Sequence, residues 1–243
     1  MHDTQTNSQD AEPKLPFDLN PLRRSLLAGS ASAGVLALFR PAVALAQAPA
    51  APRPLPALAS FKDPGSMIVH SSSTIETRRA AMGLVVTPVN QLYVRNNLNP
   101  PDASVVAKPD AWQVQVEGVR RPATLTLAEL KKMPTETVTM VLQCSGNGRG
   151  YFPSKPSGTP WQTGAAGCVM WTGVPVKELA RRLGGVDRVA KFMTGTGGEV
   201  LPAGVDPKTR VERSVPVAAM EDALLAWELN GQPIPLAHGG PLR

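Results

Sequence analysis

The chain has 243 residues, a formal net charge of +6 and two cysteines. Its basic balance suits small oxyanions or an acidic partner, but no aromatic-interleaved basic patch and no helix-turn-helix pattern argues for nucleic acid. The absence of C-x-x-C and of clustered histidines disfavours zinc. The shortage of partner histidines disfavours a cysteine hydrolase.

Residues 1–46 read as an export signal. A polar leader runs into Pro21-Leu22-Arg23-Arg24-Ser25-Leu26-Leu27, a small and apolar run from Ala28 to Phe39, and Ala42-Val43-Ala44-Leu45-Ala46 with A-x-A cleavage sites. The paired arginines and weakly apolar core point to the twin-arginine route, with cleavage after Ala46 and a periplasmic destination. The run is shorter than the ~20 residues that cross a bilayer, so no membrane span is expected after cleavage. Removing the leader leaves the net charge unchanged, because Lys14, Arg23, Arg24 and Arg40 balance Asp3, Asp10, Glu12 and Asp18. Residues 47–60 form a Pro/Ala-rich spacer expected to make neither helix nor packed strand. Folded structure is expected from Phe61, leaving about 180 residues for one domain or part of a larger one.

Within 61–243 the organisation is mixed, with no repeat and no heptad. Trp112 to Glu117 alternates like a strand and is closed by Gly118 to Pro122, so it should pair with the segment beyond that turn. Thr126-Leu127-Ala128-Glu129 is a capping box opening a short helix that ends before Pro134. Thr137 to Leu142 reads as a buried strand. A helix over roughly Val176 to Leu183 starts after Pro175 and ends at Gly184-Gly185, and another is expected from Val217 to about Leu225. Asn230-Gly231, between Leu225–Leu229 and Gln232-Pro233-Ile234, is a two-residue hairpin signal.

The chemistry-bearing stretch is Leu142-Gln143-Cys144-Ser145-Gly146-Asn147-Gly148-Arg149. It places a cysteine where a strand gives way to a glycine-rich loop, and loops at strand ends are where function concentrates. A nearby arginine favours the thiolate, the form that ligates soft metals. Free cysteines are also among the most buried residues, so a core thiol, or a structural Cys144–Cys168 disulfide in a non-catalytic exported binding domain, remains open. Arg95 and Arg149 could equally be surface residues, and His238 a satisfied loop histidine.

Tyr93-Val94-Arg95-Asn96-Asn97, the Cys144 loop, Trp161, Gly164-Ala165, Trp171-Thr172-Gly173-Val174 and the run from Asn230-Gly231-Gln232-Pro233 to His238-Gly239-Gly240-Pro241-Leu242-Arg243 occur in the order seen in the sulfite oxidase family. From about residue 85 to 243 the chain resembles that family's molybdopterin-binding domain. The resemblance implies an α+β fold of mixed sheets and short helices around one mononuclear molybdenum bound by a single molybdopterin, with Cys144 as the protein's metal ligand. It implies that Tyr93, Val94, Arg95, Asn96, Asn97, His238 and Arg243 hold the cofactor. Arg95, Arg149 and Trp161 would line the oxyanion pocket with Cys144, and Trp171 would serve packing. Two arginine forks suit an oxyanion better than lysines do. The implied reaction is oxidation of sulfite, or of a related sulfur oxyanion, to sulfate. No C-x-x-C-H haem site is present, so a separate c-type cytochrome is the implied electron acceptor. A sulfane dehydrogenase subunit and a molybdenum-dependent sulfoxide reductase are the alternatives within the resemblance. By the same resemblance the domain is expected to be incomplete at its C-terminus, with further cofactor loops and a β-sandwich dimerisation domain beyond Arg243, the full-length form being a homodimer.

Overall fold

The computed structural model of the chain describes residues 53–98, 102–198, 201, 203–206, 208 and 211–243. The export-signal reading and the first part of the spacer lie outside these residues. The fold is α+β, as expected, with short helices and antiparallel sheets. β1 (Met67–Ser71), β2 (Thr74–Thr77) and β3 (Val94–Arg95) form one sheet in that order; β4 (Gln113–Val116) pairs β5 (Ala123–Thr126). A four-stranded sheet runs β11-β10-β7-β6, from β6 (Glu136–Gln143), β7 (Ala166–Pro175), β10 (Leu224–Leu229) and β11 (Gln232–Pro233). β8 (Phe192–Thr196) and β9 (Glu212–Pro216) make a separate hairpin.

Local signals that need only neighbouring residues came true. Thr126 accepts from the Glu129 N–H while the Glu129 side chain accepts from the Thr126 N–H, capping the helix Leu127–Leu130. The helix Val176–Arg182 ends before Gly184 and Gly185, both at positive φ. Asn230 and Gly231 take φ of 54° and 74° between β10 and β11, the left-handed pair that matches strand twist.

Three expectations are corrected, and one alternative, the disulfide, is not met. β6 is an edge strand paired only with β7, and Val138, Met140 and Val141 are 40%, 46% and 62% exposed; its apolar residues do not bury it among the described residues. The helix expected over 217–225 is a 3₁₀ turn at Val217–Glu221, after which Leu224 joins β10 opposite Pro175. The end of the spacer is structured: Ala57–Ala59 form a 3₁₀ turn and Ala59 is fully buried beside Met67, Ile75 and Ala237. Cys144 and Cys168 are both free thiols. Cys168 stands opposite Val141 in the β6–β7 register, while the Cys144 N–H bonds Ala165 O; three residue steps separate their levels, roughly 10 Å along a strand, beyond disulfide reach.

Candidate active site

The cysteine loop is held by the backbone of the segment after Trp161. Cys144 N–H donates to Ala165 O at 2.9 Å, Gly148 N–H to Gln162 O at 2.6 Å and Gly150 N–H to Trp161 O at 2.8 Å, while Asn147 Oδ1 accepts from Ala165 N–H at 3.0 Å. Asn147 N–H closes the turn onto Cys144 O at 2.9 Å. The thiol is half-buried and packs against the cluster containing Leu92, Tyr93 and Trp161. Arg149 is half-buried. A Cβ on Gly146 would stand 2.9 Å from its Nη2 and one on Gly158 would overlap Nη1, so the guanidinium occupies a slot only two glycines leave open. No hydrogen bond of that guanidinium to another described residue competes with an incoming anion.

The segment 161–165 is held from its other side by Glu76. This fully buried carboxylate accepts from Gly164 N–H at 2.8 Å, Gln162 N–H at 3.1 Å and His70 Nε2 at 2.7 Å. Trp161 is wholly buried, its ring edge-on to His70 (5.4 Å) and to Tyr93 (6.0 Å). Trp161 therefore backs Tyr93 from inside the core instead of presenting a face of its own.

Tyr93 is the meeting point of the two halves of the site. Burial, with neighbouring Cys144 adding to it and Arg243 opposing it, pushes its hydroxyl up to about 12, so it stays protonated. The Arg243 guanidinium lies 5.1 Å over the Trp171 ring and donates to His238 O at 3.2 Å, while its backbone pairs with Ala226. Trp171 itself is buried packing, as expected. Asn96 Nδ2 donates to Ala237 O at 3.3 Å, joining the Tyr93–Asn97 stretch to the His238 loop. Val94 is fully buried with Ile75 and Ala237 and stands opposite Ile75 in the β2–β3 pairing. Arg95 and Asn97 are exposed, and Arg95 Nη1 donates to Asn96 O at 2.6 Å. Arg95 and Arg149 are thus held by different neighbours and do not share a hydrogen bond.

His238 is 4% exposed, and its Nε2 lies 2.7 Å from Lys62 Nζ. Burial first, then the charges of Lys62 and Arg243, hold its pKa well below the ordinary 6.5. Lys62, Glu76 and His70 were not picked out in the sequence. Their types are usually solvent-exposed and nothing local marks them; only long-range pairing reveals them.

Among the described residues no group of three or more His, Cys, Asp or Glu side chains converges as a metal site. A metal at Cys144 would take one protein ligand there and the rest from a cofactor. One soft thiol beside a protonated phenol, with Arg149 on the same loop, fits such a group. On this α+β domain the backbone-clamped loop holds Cys144 as a free, half-buried thiol beside Tyr93.

The comparisons agree. The family model for the oxidoreductase molybdopterin binding domain matches residues 101–243, and the chain belongs to that family. It is 30% identical over 169 residues to human mitochondrial sulfite oxidase and 34% identical over 165 residues to the Hordeum vulgare nitrate reductase [NAD(P)H], each match covering 65% of this chain. The chain spans 29% and 18% of those relatives' lengths. The sulfane dehydrogenase SoxCD structure from Paracoccus pantotrophus shares the fold, with a TM-score of 0.58 at 23% identity over 72% of this chain and 43% of that one. No helix among the described residues is long and apolar enough to cross a membrane.

Proposed function

We propose that the protein is a periplasmic, molybdenum-cofactor-dependent oxidoreductase that oxidises sulfite to sulfate and passes the electrons to a c-type cytochrome, exported folded by the twin-arginine route. The observation that carries this reading is the free, half-buried Cys144 thiol on a loop clamped to residues 161–165, with protonated Tyr93 beside it. The membership in the molybdopterin-binding family and the likeness to sulfite oxidases support it.

When bound, the cofactor supplies the two-electron redox chemistry that side chains lack. The chain's own residues hold and orient. Cys144 gives the soft thiolate ligand. Tyr93, kept protonated, can only donate through its hydroxyl proton, which suits an oxygen that is gaining charge. Arg149, braced between glycines, presents a fixed fork to an oxyanion. Arg95, from the exposed end of β3, adds a second fork that must turn from Asn96 O to take part. Trp161 holds Tyr93 in place from behind. His238, Arg243 and the Tyr93–Asn97 backbone form the remaining wall, assigned to the cofactor's pterin and phosphate. In balance, sulfite and water give sulfate, two protons and two electrons, and the electrons leave one at a time.

The test is molybdenum per protein by elemental mass spectrometry, wild type beside Cys144→Ser, with sulfite-dependent cytochrome c reduction on the same samples. Near-stoichiometric metal and activity, both lost in the variant, are expected. Metal with nitrate-dependent oxidation of a reduced dye and no sulfite turnover would move the reading to the nitrate reductase side of the relatives. Absence of metal would overturn it.

A further inference from the structure

We propose that Lys62 is a positioning residue for the cofactor site: it grips His238 by Nε2, so that the imidazole offers Nδ1–H as its hydrogen-bond donor. This rests on the reading that His238 faces the cofactor. The observation is a buried amine with three acceptors. Lys62 is 3% exposed, and its Nζ lies 2.5 Å from Val89 O, 2.7 Å from Leu92 O and 2.7 Å from His238 Nε2. No carboxylate among the described residues pairs with it; the Phe61 ring faces it at 4.7 Å and also meets the His238 ring edge-on at 6.2 Å.

The geometry restricts the protons. Carbonyls accept only, so two N–H bonds of Lys62 are committed to Val89 and Leu92. The ammonium's third N–H meets Nε2, which must then carry the lone pair. A neutral imidazole whose Nε2 accepts bears its single proton on Nδ1. Burial lowers the Lys62 amine to about 7, so the ammonium is the form present below that pH. His238 is neutral there, since burial and the Lys62 and Arg243 charges depress it. Arg243, with Nη1 on His238 O, is the other charged group against this loop, and Tyr93 stands next to Arg243.

The same amine fixes both walls of the site. Val89 and Leu92 lead directly into Tyr93–Asn97, and His238 opens the run to Arg243. One buried cation therefore sets the spacing between two segments about 140 residues apart in sequence, a role that Asn96 to Ala237 O supports with a weaker neutral bond. The residue lies before the part of the chain that the family model matches.

The experiment is long-range ¹H–¹⁵N NMR on the whole protein at about pH 6, with the His238 signal assigned by its loss in His238→Gln. The nitrogen shifts report the tautomer directly. The wild type is expected in the Nδ1–H form, Lys62→Met in the Nε2–H form, and Lys62→Arg, which still donates, in the Nδ1–H form again. Molybdenum content on the same samples should fall several-fold in Lys62→Met and recover in Lys62→Arg. An Nε2–H wild type, or an unchanged tautomer in a folded Lys62→Met, would overturn the proposal. A switched tautomer with undiminished molybdenum would also overturn the positioning role, while leaving the cofactor reading standing. Absence of molybdenum in the wild type would instead strike the proposed function, and the NMR result would still judge the Lys62–His238 bond. Should Lys62→Met not fold, the wild-type and Lys62→Arg spectra decide.

Discussion

The first 45 described residues and the core around β7 and the helices Leu127–Leu130 and Val176–Arg182 are built on opposite principles. In the second, Val119, Leu127, Leu130, Val174, Leu179 and Trp227 pack as an apolar cluster that needs no specific partner. In the first, Lys62, Ser66, Thr74, Glu76, Thr77 and Thr87 are all buried; from the rest of the described chain only His238 joins them as a buried polar residue, and it does so by meeting Lys62. An apolar cluster tolerates repacking within its volume. A buried polar layer is correct only when each donor has its acceptor, which makes it costly to perturb and specific in what it holds. Here it holds the segment that clamps the cysteine loop. The division predicts that substitutions of equal size will be felt much more in the polar layer.

The largest effect is expected at Gly164, where the layer touches the clamp. A Cβ there would overlap Thr77 O and stand 2.8 Å from Glu76 Cγ, and backbone cannot yield as a side-chain tip can. Gly164→Ala should cost about 4–5 kcal/mol or more, read as a urea midpoint collapse or loss of soluble protein. Gly195→Ala on β8, with nothing within 4 Å, should stay within about 0.5 kcal/mol. Similar losses in both would mean that the clamp carries no special constraint. Next is Glu76→Leu, which strands the buried Gly164 N–H, the partly buried Gln162 N–H and the His70 ring. An expected loss of about 3–5 kcal/mol, at unchanged denaturant slope, separates this from a surface carboxylate.

These two regions were unequally legible in the sequence. The capping box at Thr126, the Asn230-Gly231 turn and the helix after Pro175 depend on neighbours within four residues, and all three were readable. The cysteine loop stood out only through the order of motifs it shares with the sulfite oxidase family; its residue types alone left a core thiol open. β7 was not, because Gly167 and Gly173 dilute its strand composition, although its burial alternates from Gly167 through Trp171. β6 was read as buried from its apolar content, but burial belongs to what covers a strand and not to the strand. The polar layer was invisible: Glu76 reaches Gly164 and Lys62 reaches His238 across 88 and 176 positions. Nothing in the residue types of Arg95 and Arg149 showed that Arg95 bonds its neighbour while Arg149 sits between glycines.

The pH dependence of stability sharpens the comparison at Lys62. Its amine titrates near 7 when folded and at 10.5 when unfolded. Between those values the unfolded chain holds a proton that the folded one has lost, so this group's contribution to stability rises with pH across that window and is flat below it. Subtracting Lys62→Met from wild type in urea melts from about pH 7 to pH 10 should leave a positive slope. A flat difference would mean that the folded Lys62 keeps its proton across that window, so that burial does not lower its amine.

The smaller effects belong to the apolar region and its surface. Thr126→Ala removes a cap and should cost about 1 kcal/mol, with Glu129→Ala adding little in the double variant because the two side chains form one reciprocal unit. Last is Asp110→Asn, which breaks the ion pair to Lys131 at 2.6 Å. Both side chains are solvent-exposed, so the pair gives up flexible water contacts for one screened attraction. The expected change is below about 0.5 kcal/mol and should vanish in molar salt. The short distance makes the point of the comparison sharpest: Lys131 and Lys62 both end in close contacts, and only the one that cannot return to water is expected to matter. If Asp110→Asn costs as much as a Lys62 or Glu76 substitution, contact length and not burial governs these pairs, and the contrast between the two regions fails.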